Sequence, residues 1–209
     1  MGFLFDSIRH LLASDPAEKQ DALARMLGRV LSVEPVALPS SRVAASPPAG
    51  TQDGVEAADP PPAVSVVHYP KVSGRPFAIT LTIGASSAVA QEYGAVSLAD
   101  AQPGADHRFA ELVAVAWEAR AAVGDVVALP EGLLGRSSHT HAVVLDQGSV
   151  LREEAEYVRI LGAPIAWVVP VTSREAEWIA SHSAAAFDRA MREQGVEPYV
   201  DRPAGTTQL

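Results

Sequence analysis

The chain has 209 residues, 48% of them hydrophobic, and its 16 Lys and Arg stand against 25 Asp and Glu for a formal net charge of −9. That length and apolar content supply the core of one domain with room for an appendage, and the lack of a basic block argues against nucleic acid, whose phosphates need Lys and Arg. The absence of cysteine removes disulfides, thiolate metal sites and cysteine nucleophiles, and fits a reducing compartment.

The apolar start Met1 to Phe5 is interrupted by Asp6, Arg9 and His10 before a signal-peptide core can form, and Asp6 occupies the place where an N-myristoylation pattern needs Ser or Thr. No later run approaches the roughly 20 apolar residues that cross a bilayer. The expected location is cytoplasmic, with no membrane contact.

Residues 1–34 read as a helical hairpin. Leu4, Ile8, Leu11 and Leu12 share one face of a short first helix. Asp15, Pro16 and Glu18 then supply an N-cap, a first-turn proline and a capping glutamate for a second helix, whose stripe is Ala22, Leu23, Met26, Leu27, Val30 and Leu31 and which Pro35 ends. Two short helices cannot bury such stripes alone, so they dock on the main domain, on a second copy as a homodimer, or on a partner. Residues 35–62, rich in Pro, Ala, Ser and Gly without periodicity, read as a linker.

The main domain spans 63–203, followed by a polar tail over 204–209. Val64 to Tyr69 and Phe77 to Ile83 alternate as an antiparallel strand pair, the second with Phe77, Ile79, Leu81 and Ile83 on one face. Gly84 to Ser87 opens a loop, and Val96 and Leu98 fit a short edge strand. The run Phe109 to Ala116 is open: alternation favours a strand, and the alanine content through Arg120 favours a helix just after it. Val126 to Leu129 and Ala142 to Leu145 read as strands, and Asp146 to Glu156 as a long acidic loop before Val158 to Leu161. Pro164 to Val169 is apolar on both alternating sets, as in a strand buried on both faces, and stops at Pro170. Thr172 stands three before Glu175, the spacing of a reciprocal cap, so an amphipathic helix over 173–194 follows and closes at Gly195. The fold class is α+β, a mixed or antiparallel sheet flanked by helices.

The sharpest chemical pair is His139 and His141, which on a regular strand point to one side and could supply two metal ligands, completed by His107, His182 or Glu111. No diagnostic metal spacing, nucleophile elbow or phosphate loop accompanies them, so no metal or cofactor is assigned. Trp167 belongs to the core and its indole N–H needs a partner there. Trp178 lies at the margin of the apolar stripe, where it could anchor a partner. Glu175 has its capping role, whereas Glu177, Glu153, Glu154 and Glu156 could meet a basic surface.

The stretch Gly74-Arg75-Pro76-Phe77-Ala78-Ile79-Thr80-Leu81-Thr82-Ile83-Gly84-Ala85-Ser86, the Ala110-Glu111-Leu112-Val113 element, the Ile165-Ala166-Trp167-Val168-Val169-Pro170-Val171-Thr172 strand with Glu175 and Glu177 behind it, and Val200-Asp201-Arg202 together resemble the suppressor of fused-like domain. The resemblance covers residues 64 to 203; Ala85 stands where the family has Met, and the region Leu129 to His141 resembles the family's Gly-His-Thr segment only through His139-Thr140. It implies a binding domain without a known catalytic site, of the kind proposed in bacteria as immunity proteins that silence a cognate toxin. The expectation is a non-enzymatic protein binder whose partner is a basic toxin domain, with Trp178, Glu177, Glu153, Glu154, Glu156, His139 and His141 as partner-binding candidates. The alternatives are a metal-dependent hydrolase using His139 and His141, and a scaffold whose N-terminal hairpin does the docking.

Overall fold

The computed structural model describes residues 16–27, 32–36, 64–69, 77–97, 105–134, 138–146 and 154–196. The expected first helix over Leu4 to Leu12, most of the linker and the polar tail lie outside them. Among the described residues seven strands form one sheet in the order β1-β2-β3-β4-β7-β6-β5: β1 Ser32–Val36, β2 Val64–Tyr69, β3 Ala78–Ile83, β4 Glu92–Ser97, β5 Val126–Ala128, β6 His139–Leu145 and β7 Ile165–Thr172. All neighbours are antiparallel except β4 and β7, so the sheet is mixed.

Strand alternation sorts the core into two faces. Ala166 and Val168 of β7 join Ala142 and Val144 of β6 and Tyr93 and Ala95 of β4 on one face, covered by helix α3, Ala105–Glu118. Ile165 and Trp167 look the other way, with Leu81 of β3, under helices α1, Pro16–Leu27, and α4, Glu154–Leu161. Val169 and Val171 continue that second face under α5, Ser173–His182, and α6, Ala184–Glu193. The central strand therefore serves cores on both sides, which is why its sequence is apolar at every position through Val169.

Several expectations are corrected. The open run at Phe109 to Ala116 is helical: Phe109, Leu112, Val113, Ala116 and Trp117 recur at the spacing of one helix face and are all buried. Val158 to Leu161 does not follow an acidic loop but ends α4, whose Tyr157, Ile160 and Leu161 fill the second face. The strand expected near Val96 is not at an edge; β4 lies inside the sheet between β3 and β7. The loop at Gly84 contains a helical turn, α2, Ser86–Val89.

Pro170 does not end β7, which continues to Thr172. Among the described residues β4 pairs with β7 only as far as Trp167, so no described strand lies beyond it on that side as a ladder for a proline to break. The helix expected over 173–194 is two helices broken at Ser183, although the capping box at its start is present: the Glu175 amide donates to Thr172 Oγ1 at 3.2 Å and the Thr172 amide to Glu175 Oε2 at 2.7 Å.

At the front of the chain, α1 ends at Leu27, and Pro35 lies inside edge strand β1, opposite Ser65. The boundary expected at residues 34 and 35 thus falls within a strand of the main sheet, where an edge tolerates proline. Helix α1 docks on its own chain. Leu23 is wholly buried among Tyr157, Ile160 and Leu161, worth about 2 kcal/mol of apolar burial, and Lys19 Nζ donates to the Leu161 carbonyl at 2.6 Å, a cation at the last residue of α4.

Candidate functional site

Among the described residues an elaborate polar cluster surrounds Glu92, a residue that motif reading passes over. It opens β4 with no exposed surface, and its carboxylate faces the turn after β3. Oε1 accepts from the Gly84 amide at 3.0 Å, the Ser86 amide at 3.2 Å and Ser86 Oγ at 2.7 Å. Oε2 accepts from Thr82 Oγ1 at 2.8 Å and the Ala85 amide at 3.1 Å. Five donors saturate the group, as a buried charge requires. Thr82 Oγ1 accepts in turn from the Tyr93 amide at 2.7 Å. The cluster closes a turn and leaves no carboxylate lone pair aimed at a ligand, so it is a structural clamp. The signal in the sequence is the Gly84-Ala85-Ser86 turn followed by an isolated acid in an apolar stretch.

Next to it Tyr93 donates from its hydroxyl to the Ala121 carbonyl at 2.8 Å and meets Trp117 edge-on, with ring centroids 6.4 Å apart. Burial pushes the Tyr93 phenol above its ordinary 10.0 by disfavouring the phenolate. Trp117 and Trp167 bury their indole N–H groups without a partner among the described residues, so the partner expected for Trp167 is not found there.

The expected pair of histidines is split. A bulge lies between His139 and His141, which pair with Thr172 and Val171 of β7. Adjacent residues of β7 face opposite sides, so the extra residue Thr140 cancels the two-residue repeat that would align the imidazoles. His139 is buried and His141 half-buried, its Nδ1 2.9 Å from Thr140 Oγ1, which also lies 2.8 Å from Ser173 Oγ at the start of α5. Among the described residues no group of three His, Asp or Glu side chains could hold a metal ion.

Trp178 is half-buried, stacked on the His182 ring at 4.2 Å and tilted against Phe187 at 6.5 Å, so α6 and the end of α5 cover it. Glu177 is exposed on the same helix. Glu154 and Glu156 fall in the first turn of α4, on the part of the second face away from α5, and Glu153 lies outside the described residues. The partner-binding candidates therefore divide between two places.

A groove of about 720 Å³ opens where the turn before β5 faces the joint between α5 and α6. Leu145 and Ile179 are among the apolar groups of its floor, and Asp125, Asp146 and Asp188 are the charged residues of its lining. These acids lie far apart in sequence and share no motif. At the joint, Ser183 holds φ 113° and ψ 157°, a conformation that side chains rarely adopt, while its Oγ accepts from the Ala186 amide at 3.2 Å to cap α6.

These elements define an α+β domain with a mixed sheet between helical layers. The architecture is similar to the crystal structure of a candidate SUFU (suppressor of fused protein) homolog from Neisseria gonorrhoeae, with a TM-score of 0.61 and 14% identity over 93% of this chain and 97% of that one. The fold is thus suppressor of fused-like, as the sequence motifs imply. No protein-family model matches the sequence, and no curated protein matches it. No helix among the described residues is long and apolar enough to cross a membrane.

Proposed function

We propose that the protein is a non-catalytic binding domain that acts by stoichiometric association with another protein, and that its partner is a toxin which it neutralises. The observation that carries this reading is the likeness to a candidate suppressor of fused homolog over nearly the whole of both chains. The polar chemistry is in keeping with it: Glu92 and Glu175 are engaged in closing a turn and capping a helix. The charge of −9 suits a basic target, since opposite charge steers encounter and favours the right partner. Glu177, Trp178 and His141, at the α5 side of the domain, belong to the proposed contact surface.

Proteins encoded beside this gene are the natural candidates. Each is purified, mixed with the full chain and passed over a sizing column with mass detection, and each is expressed in cells with and without the chain. The expected result is a one-to-one complex with one of them and relief of the growth arrest it causes. If no neighbour arrests growth or forms a complex, the toxin-neutralising role falls.

A further inference from the structure

The groove between the turn at Val123 to Val126 and the joint of α5 and α6 has chemistry of its own, separate from the Glu92 clamp. Its floor is apolar and its rim is acidic, with no Lys, Arg or His among the lining residues. Asp188 is held by Arg192 in a two-pronged ion pair, Nη2 to Oδ2 at 2.9 Å and Nε to Oδ1 at 3.1 Å. Two carboxylates are left. Asp125 accepts from the Ala122 amide through Oδ2 at 2.8 Å, and its other oxygen has no partner among the described residues. Asp146 is exposed and likewise has none. Beside them Val123 is 49% exposed, and among the described residues it is the exposed large hydrophobic side chain.

Carboxylates against an apolar wall attract cations more strongly than those in open water, because the wall excludes part of the screening solvent. Lys and Arg side chains match such a place in both respects: their methylene stems cover apolar surface while the charged heads reach the rim. We propose that this groove is the docking site for a basic segment of the partner protein, a Lys or Arg flanked by aliphatic residues, with Asp125 and Asp146 receiving the cation and Val123 the aliphatic neighbour. The inference rests on the binding function proposed above and specifies where and by what chemistry binding occurs.

The test titrates the isotopically labelled full chain with the peptide acetyl-Val-Arg-Val-Lys-Val-Arg-Val-amide, followed by amide chemical shifts. Shifts confined to the Val123 turn, Asp146 and the Ser183 joint, weakening with salt and absent with the peptide carrying Glu at every basic position, are the expected result. Asp146→Asn with Val123→Ser, both at exposed positions, weakens binding about tenfold without moving the remaining spectrum. The proposal is overturned if shifts spread evenly over acidic surface such as Glu118 and Glu193, if the double variant binds as well as the parent, if spermidine gives the same shifts at the same concentration, or if the groove signals move only as the chain dimerises. A cognate partner that binds parent and double variant equally removes the groove and keeps the binding function. A groove that seats the peptide in a protein with no partner among its neighbours removes the toxin reading and keeps the site.

Discussion

Carboxylates appear in two opposite settings in this molecule. Glu92 is wholly buried and takes five hydrogen bonds, three of them from the successive amides of Gly84, Ala85 and Ser86. Asp125 and Asp146 line an open groove with accepting capacity left over. A charge removed from water must be saturated to be tolerated, and a saturated group has nothing to offer a ligand. A charge at a groove rim costs little to leave partly unpaired, and it is there that binding can be selected. The same comparison holds for backbone geometry: the β3–β4 region is locked by side chains that fill it, whereas the α5–α6 joint keeps a serine in a costly conformation at the groove.

The locked region should respond most strongly to substitution. Glu92→Ala leaves three amides and two hydroxyls around a buried void, and an expected loss of about 3–5 kcal/mol follows from unsatisfied buried donors. Urea unfolding measures it. A loss below about 1 kcal/mol would mean that water replaces the carboxylate and that the clamp is dispensable. Gly94→Ala comes next. A methyl group there would stand 2.8 Å from the Trp167 ring, 2.9 Å from Leu81 and 3.0 Å from Ile165, all buried, so no neighbour can withdraw into solvent. Overpacking of this kind is expected to cost about 2–3 kcal/mol.

These two residues also show where the sequence stops speaking. β7 and the cap behind it are readable because the information is local: apolar residues at successive positions, then Thr172 and Glu175 three apart. β4 is obscured by Glu92 and Gly94, which look like loop residues until Thr82, the Gly84 turn and the Trp167 ring are brought to them. α3 is ambiguous because short apolar runs satisfy both periods, and only packing on a sheet face decides. The break at Ser183 is hidden since Ile179, Phe187 and Met191 keep a helical phase across it while contributing to one core. A single bulged residue, Thr140, separates His139 from His141. The groove combines residues 123, 146 and 183, which only topology brings together.

Tyr93 gives a smaller and pH-dependent effect in the locked region. Its phenol is raised above 10.0 in the folded protein by burial, so the unfolded chain loses this proton first as pH rises. The contribution is complete below about pH 10 and is lost as pH climbs through the raised folded value. Tyr93→Phe should cost about 1 kcal/mol at neutral pH through the lost bond to the Ala121 carbonyl, and the gap should narrow in alkali as the parent's stability falls. Parallel denaturation at pH 7 and pH 11 checks this; a constant gap would show that the phenol ionises equally in both states.

The groove side is expected to react in the opposite direction. At φ 113° Ser183 pays for its place with strain that glycine does not feel, but glycine also loses the Oγ bond to the Ala186 amide and gains freedom in the unfolded chain. Relief of about 1–3 kcal/mol set against those two losses leaves Ser183→Gly more stable by about 0.5–1 kcal/mol. Ser183→Ala keeps the strain and loses the cap, so it should be less stable by about 1 kcal/mol. The pair of variants separates conformation from capping, because both lack the hydroxyl and only one relieves the backbone. If both are equally destabilising, the bend between α5 and α6 is held by the hydroxyl, and the groove side is as firmly locked by its side chains as the Glu92 turn.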